Sequence, residues 1–282
     1  IASGFYTVPL YALIQQRTEE ASRSRVIAAN NVLNALFMVG SAILSIVTLF
    51  VLEWHISSLL LLLAGLNLLI SIYIYTKVPE FFLRFVIYIL AICMYRVRTK
   101  RHENIPSEGA AVIVANHVSF VDWMFILATS PRPIRFMVFA PIYYSKALHW
   151  LFKMAKAIPI DSEKANPKAF AKAFDEVAAA LERGELVGIF PEGKLTSNGE
   201  MDMFRRGIER IIARTPVPVV PVHLDGLWGS MFSRKAKWQL PRLKWSLVSV
   251  SVGEPIEAEQ VSANYLHEQV SALKAQHAKN TP

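Results

Sequence analysis

His117 and Asp122 are the pair in this chain best suited to moving a proton. They lie in the stretch Asn116-His117-Val118-Ser119-Phe120-Val121-Asp122, directly after the continuous apolar run 110–115. That run is short, rich in Val and Ile and preceded by the turn signal Pro106-Ser107-Glu108-Gly109, so it reads as a buried strand. A histidine just after such a strand sits at the carboxyl edge of a sheet, where open α/β sheets keep their ligand crevices. Residues 123–128 read as a helix, with Asn116 or Ser119 as its N-cap. Inside one regular helix, five residues at about 100° each would leave the two side chains roughly 140° apart. The pair makes chemical sense only with His117 ahead of the helix and Asp122 in its first turn. A carboxylate there holds one ring nitrogen and leaves the other free as a base. The same residues also suit a capping cluster with a solvated His and Asp.

The elements around this stretch alternate. Residues 112–115, 134–138, 157–160, 186–190 and 217–224 read as strands, and 142–154, 166–183 and 207–214 as helices. The helix 166–183 is clearest: Pro167 opens it, Phe170, Phe174, Val177 and Leu181 share a face, and Gly184 stops it. Residues 245–252 read as a late strand and 260–276 as a polar helix. Strands alternating with helices imply an α/β domain built on one sheet. Pro218 and Pro221 suggest that their strand is an edge or bends, since proline cannot donate to a ladder.

Of 282 residues, 53% are hydrophobic, and the formal charge is +8. Residues 26–52 and 56–75 carry no Asp, Glu, Lys or Arg, and each is long enough for a hydrocarbon core of about 20 apolar residues. Glu53, Trp54 and His55 alone separate them, which implies a transmembrane hairpin. Arg17, Arg23 and Arg25 precede it and Lys77 and Arg84 follow, so both ends face the cytoplasm. Residues 5–14 read as the end of an earlier span, and Asn30, Asn31 and Asn34 as polar groups facing other helices. Residues 79–98 suit a helix lying in the interface, and the charge run Arg96, Arg98, Lys100 and Arg101 begins at its end. The basic aromatic tract 228–245, with Arg234, Lys235, Lys237, Arg242 and Lys244, suits a membrane surface or an acidic carrier. The net positive charge comes without a nucleic-acid recognition motif, and the basic residues adjoin apolar segments, which favours anionic lipid. Cys93 is the sole cysteine, so no internal disulfide or cysteine-based metal cluster arises.

The chain resembles the glycerolipid acyltransferases related to 1-acylglycerol-3-phosphate acyltransferase. Its 116–122 stretch looks like their His-x-x-x-x-Asp signature. Ala157-Ile158-Pro159-Ile160-Asp161, Phe190-Pro191-Glu192-Gly193-Lys194-Leu195-Thr196 and Val217-Pro218-Val219-Val220-Pro221-Val222 resemble three further blocks, in the family's order. The resemblance implies an α/β domain with a mixed sheet flanked by helices, preceded here by the helical hairpin. Residues 4–75 also resemble, more weakly, the last helices of a major-facilitator lysophospholipid transporter, and a plain membrane anchor is the alternative. The expected division is a transporter-like segment with two full spans (1–78), an interfacial helix (79–98), the acyltransferase domain (99–258) and a C-terminal helix and tail (259–282). The abrupt start on Ile1 suggests a longer protein.

The implied reaction is direct transfer of a fatty acyl group from acyl-CoA or acyl carrier protein to a lysophospholipid hydroxyl. His117 serves as base and Asp122 fixes its tautomer. No metal or redox cofactor is required, and the absence of a Gly-x-Ser-x-Gly elbow disfavours an acyl-enzyme. The third block implies acceptor binding by Glu192, Gly193, Lys194 and Thr196. Gly193 would allow close approach of substrate to backbone, and Asn116 and Ser119 act as local supports. Two departures matter: Leu195 and Ser162 stand where many lysophosphatidate enzymes carry Arg. They favour a zwitterionic acceptor such as lysophosphatidylethanolamine over lysophosphatidate, unless Arg205 or Arg206 compensates. Arg206 is the added acceptor contact in this reading. The expected location is a bacterial inner membrane, multi-pass, with the catalytic domain in the cytoplasm. A lipid-binding domain without catalysis, or a lipid or thioester hydrolase, are the rival readings.

Overall fold

The computed structural model describes residues 18, 20–77, 79–230, 232–234 and 247–279. The chain forms two compact units, one ending at Ile74 and the other beginning at Tyr75. In the first, helix α1 (Glu20–Ile46) runs into a π-helical turn (Val47–Val51) and helix α2 (Ile56–Lys77) follows. Thr48 accompanies the π turn by donating its hydroxyl to the Leu44 carbonyl at 2.8 Å, a back-bond that competes with the helical ladder. Segments Ser22–Val51 and Ile56–Ile74 are both long and apolar enough to cross a membrane. Residues 5–14, expected to end an earlier span, lie outside the described residues, as do 231 and 235–245 of the basic aromatic tract.

The second unit is a seven-stranded sheet between two layers of helices. Its strands are β1 (Arg96–Lys100), β2 (Ala111–Ala115), β3 (Ile134–Phe139), β4 (Ile158–Ile160), β5 (Leu186–Ile189), β6 (Val219–Asp225) and β7 (Leu247–Val252). Their order is β1-β7-β6-β2-β5-β3-β4, and every neighbouring pair is parallel except β6–β7. The sheet is therefore mixed. Strand β2 is central and wholly buried, which is why its sequence is an unbroken apolar run rather than an alternating one.

Alternate β residues feed two cores. Ile113, Ala115, Val222 and Leu224 pack beneath helices α3 (Pro79–Met94) and α4 (Asp122–Thr129), whose Leu83, Ile87, Ala91, Phe125 and Ile126 join the same cluster. On the other face Val112, Val114, Val187 and Val219 meet α7 (Pro167–Glu182), α8 (Gly207–Arg214) and α9 (Ala263–Lys279). Two short helices, α5 (Ala140–Tyr143) and α6 (His149–Met154), take the place of the single helix expected over 142–154. The Asn166 side chain caps α7 by accepting from the Ala169 amide at 3.1 Å.

Three expectations give way. The helix expected over 79–98 ends at Met94, and Arg96–Lys100 instead forms edge strand β1, paired in parallel with β7. Its basic residues stay exposed, the charge pattern that guards an open sheet edge. Residues 79–98, 99–258 and 259–282 belong to one unit, because α3 buries Leu83, Ile87 and Ala91 and α9 buries Leu266 and Val270 in its cores.

Pro221, read as an edge signal, lies in β6 between β2 and β7. The ladder tolerates it because the Gly253 amide still donates to the Pro221 carbonyl at 2.8 Å. The Gly253 carbonyl, deprived of a proline N–H, accepts from Asn104 Nδ2 at 2.9 Å instead.

Candidate active site

Strand β2 ends at Ala115, in register with Val222 of β6. Two residues further along β6, the Leu224 N–H and C=O point toward a neighbour that has turned away. Asn116 supplies the missing rung: its Oδ1 accepts the Leu224 amide at 2.7 Å and its Nδ2 donates to the Leu224 carbonyl at 2.9 Å. Asn116 thus ties two strands together and is not the cap of α4; the cap position is Val121, which makes no side-chain cap.

The chain can therefore leave the sheet at once and present His117 at its carboxyl edge. Asp122 is the first residue of α4, fully buried, where the positive end of the helix favours a carboxylate. Its Oδ2 lies 2.9 Å from His117 Nδ1 and accepts the Val118 and Ser119 amides at 2.7 and 2.9 Å. Burial pushes the Asp122 carboxyl above its usual range; the His117 side chain and the two amides pull the other way. The imidazole is 20% exposed, and among the described residues no protein group bonds its Nε2. One face of the ring stacks on Phe190, with centroids 4.2 Å apart, and Phe190 in turn stacks on Phe136.

The loop after β5 holds His117 from below. Glu192 is 2% exposed; its Oε1 accepts the His117 amide at 2.7 Å and its Oε2 the Asp202 amide at 3.0 Å. Burial raises this carboxyl also, against the two amides and His117. The Thr196 amide donates to the His117 carbonyl at 3.0 Å, so both backbone groups of His117 are held by one loop.

Glu192 and Thr196, expected to touch the acceptor, are buried and committed internally. The Thr196 hydroxyl donates to the Glu200 carbonyl at 2.6 Å and accepts the Gly199 amide. Lys194 is exposed and paired with Asp202 at 3.0 Å, and Leu195 is buried. At Gly193 (φ +69°) a Cβ would meet not a substrate but the Arg205 guanidinium, at 2.8 Å from its Cζ. Arg206 is exposed at the N-cap of α8 and makes no hydrogen bond or ion pair to this cluster.

Ser119 hooks a second loop over the site. Its hydroxyl donates to the Phe232 carbonyl at 3.1 Å, and the Phe120 amide donates to the same carbonyl at 3.0 Å. Phe190, Leu224 and Phe232 act through ring stacking or backbone groups, which leave no pattern of residue types in the sequence. Among the described residues no cluster of three His, Cys, Asp or Glu has the arrangement of a metal site.

Residues 96–225, from β1 through β6, match the family model described as Acyltransferase. Residues 96–225 are thus the part of this chain that resembles the Acyltransferase family. It is similar to 1-acyl-sn-glycerol-3-phosphate acyltransferase LPAT1, chloroplastic, of Arabidopsis thaliana, at 29% identity over 47% of this chain and 36% of that protein. It is also similar to 1-acyl-sn-glycerol-3-phosphate acyltransferase of Bacillus subtilis, at 29% identity over 51% of this chain and 70% of the relative. The matched segments span little more than a third of the chloroplast proteins. A crystal structure of the Thermotoga maritima 1-acyl-sn-glycerophosphate acyltransferase PlsC shares the fold, with a TM-score of 0.53, 21% identity and coverage of 67% and 76% of the two chains. The matched range contains His117, Asp122, the 190–196 loop and strand β6, and it begins after α1, α2 and α3.

Proposed function

We propose that this chain is a membrane-bound acyltransferase that moves a fatty acyl group from acyl-CoA or acyl carrier protein to the free hydroxyl of a lysophospholipid. The observation that carries the reading is the 2.9 Å contact of His117 Nδ1 with buried Asp122, which leaves Nε2 open at the sheet's carboxyl edge. With its proton held on Nδ1, the imidazole offers a lone pair at Nε2. Nε2 takes the acceptor's hydroxyl proton as that oxygen attacks the thioester carbonyl. The tetrahedral oxyanion collapses, the carbon–sulfur bond breaks, and the imidazolium returns the proton to the leaving thiolate. A base so placed contributes about 10²- to 10⁴-fold. Asn116, Ser119, Glu192 and Thr196 act by holding this geometry. The similar proteins named for 1-acylglycerol-3-phosphate support the glycerolipid acceptor.

The apolar segments Ser22–Val51 and Ile56–Ile74 support membrane attachment, and Arg23, Arg25 and Arg84 at their flanks support a cytoplasmic catalytic unit. The stretch Arg25-Val26-Ile27-Ala28-Ala29-Asn30-Asn31 is the feature that supports a transporter-like origin for this part.

The test is an assay of the full chain in detergent, offering acyl-CoA and acyl carrier protein donors against lysophosphatidate and lysophosphatidylethanolamine. Phospholipid formation is expected. Free fatty acid without phospholipid would make the protein a hydrolase, and lysolipid binding without either product would make it a binding module.

A further inference from the structure

The third block lacks an arginine, yet a guanidinium lies on it. Arg205 packs its planar head on the Cα face of Gly193, close enough that a Cβ at that position would stand 2.8 to 3.0 Å from Cζ, Nε and Nη1. Its backbone is fixed as well, the Arg205 amide donating to the Pro191 carbonyl at 2.9 Å. Pro191 and Gly193 flank Glu192, which holds the His117 amide, so the guanidinium packs on the loop that holds the candidate base.

Apart from Arg206, exposed at the N-cap of α8, the neighbouring charges are spent. Lys194 is paired with Asp202, Glu192 is buried against two amides, and Leu195 is buried in the core. Arg205 itself is exposed and has no ion pair among the described residues. An exposed guanidinium packed on this loop with no carboxylate partner is a fork for a phosphate, which it can grip bidentately as a lysine cannot.

We infer that Arg205, seated on Gly193, binds the phosphate of the glycerolipid acceptor and selects acceptors that carry one. The inference rests on the acyl-transfer reading and names the residue that does the work expected of Lys194 and Arg206. Glycine at 193 suits its left-handed backbone, φ +69°, and leaves the space that the guanidinium fills.

The experiment compares the full chain with Arg205→Gln, Arg205→Lys and Arg206→Gln in detergent. Acceptors are lysophosphatidate, lysophosphatidylethanolamine and monoacylglycerol, with acyl donor varied separately. Arg205→Gln raises KM for both phosphate-bearing acceptors about tenfold to hundredfold with kcat little changed, as expected when uniform binding is lost. Arg205→Lys recovers part of this, monoacylglycerol turnover is unaffected, and KM for the donor stays put. A rise in donor KM instead, or the same acceptor effect from Arg206→Gln alone, overturns the assignment. Calorimetric titration with glycerol 3-phosphate separates the two levels. Arg205-dependent binding without any turnover upholds the phosphate site and removes the reaction; turnover that ignores Arg205 does the reverse.

Discussion

Glu192 reaches across 75 positions of sequence to accept the backbone amide of His117 at 2.7 Å, while its second oxygen accepts the amide of Asp202. A carboxylate can satisfy two converging N–H groups because both of its oxygens accept; a carboxamide has only one. Glu192→Gln therefore sets an NH₂ against one amide, at a cost of about 1–3 kcal/mol. With His117 less firmly held, kcat falls as much as about a hundredfold, the scale of a misplacement near 1 Å. Melting temperature and kcat fall together. An unchanged kcat with a raised acceptor KM would mean that Glu192 touches substrate instead.

Asn116 is the rung that lets β2 end where it does. Asn116→Ala leaves the Leu224 N–H and C=O buried without partners, for a loss of about 1–3 kcal/mol. Asn116→Asp keeps the acceptor but turns a buried carboxylate oxygen toward the Leu224 carbonyl, so its melting temperature falls at least as far as the alanine variant's. Equal melting temperatures for all three would remove the rung from the account.

Gly188 couples the sheet to the base through two rings. A Cβ there would collide with Phe136, which stacks on Phe190, which stacks on His117. Gly188→Ala costs about 1–3 kcal/mol by overpacking. It also lowers kcat in the fraction that stays folded, and Phe190→Leu, which removes the stacked ring, lowers kcat without the overpacking loss. Full kcat in both variants would show that the stack is only packing.

The two buried carboxyls give stability a sign with pH. Burial raises both Asp122 and Glu192 above the ordinary carboxylate value. Between that value and the raised one, the folded chain holds protons that the unfolded chain has released. Stability contributed by these groups is therefore present at the acid end, falls as pH rises through that window and is level above it. Asp122→Asn removes one of the two titrations. The parent's melting temperature relative to the variant's then declines as pH rises through the window, whereas a difference independent of pH would contradict the raised value.

Much of the sheet was legible because parallel central strands must be apolar throughout and their helices must show one apolar face. The His117–Asp122 geometry was legible for a similar reason: only one placement of a helix start makes that spacing useful. What was not legible depends on partners distant in sequence. Asn116 has the residue type of a cap, and nothing local reveals Leu224, 108 positions on. Pro221 carries an edge signal that Asn104 cancels by taking over one carbonyl. The basic alternation of β1 resembles a charge run at a membrane surface, and only pairing with β7 distinguishes it. A glycine at 193 suggests room for a substrate, whereas the neighbour that lies in that space is Arg205.

The most direct test of the central claim measures kcat for acyl transfer in His117→Ala and Asp122→Asn beside the parent, with folding checked by melting temperature. The account predicts that both variants fold and that each loses about 10²- to 10⁴-fold in kcat, with KM for acceptor and donor little changed. Parental kcat in a folded His117→Ala protein would contradict it.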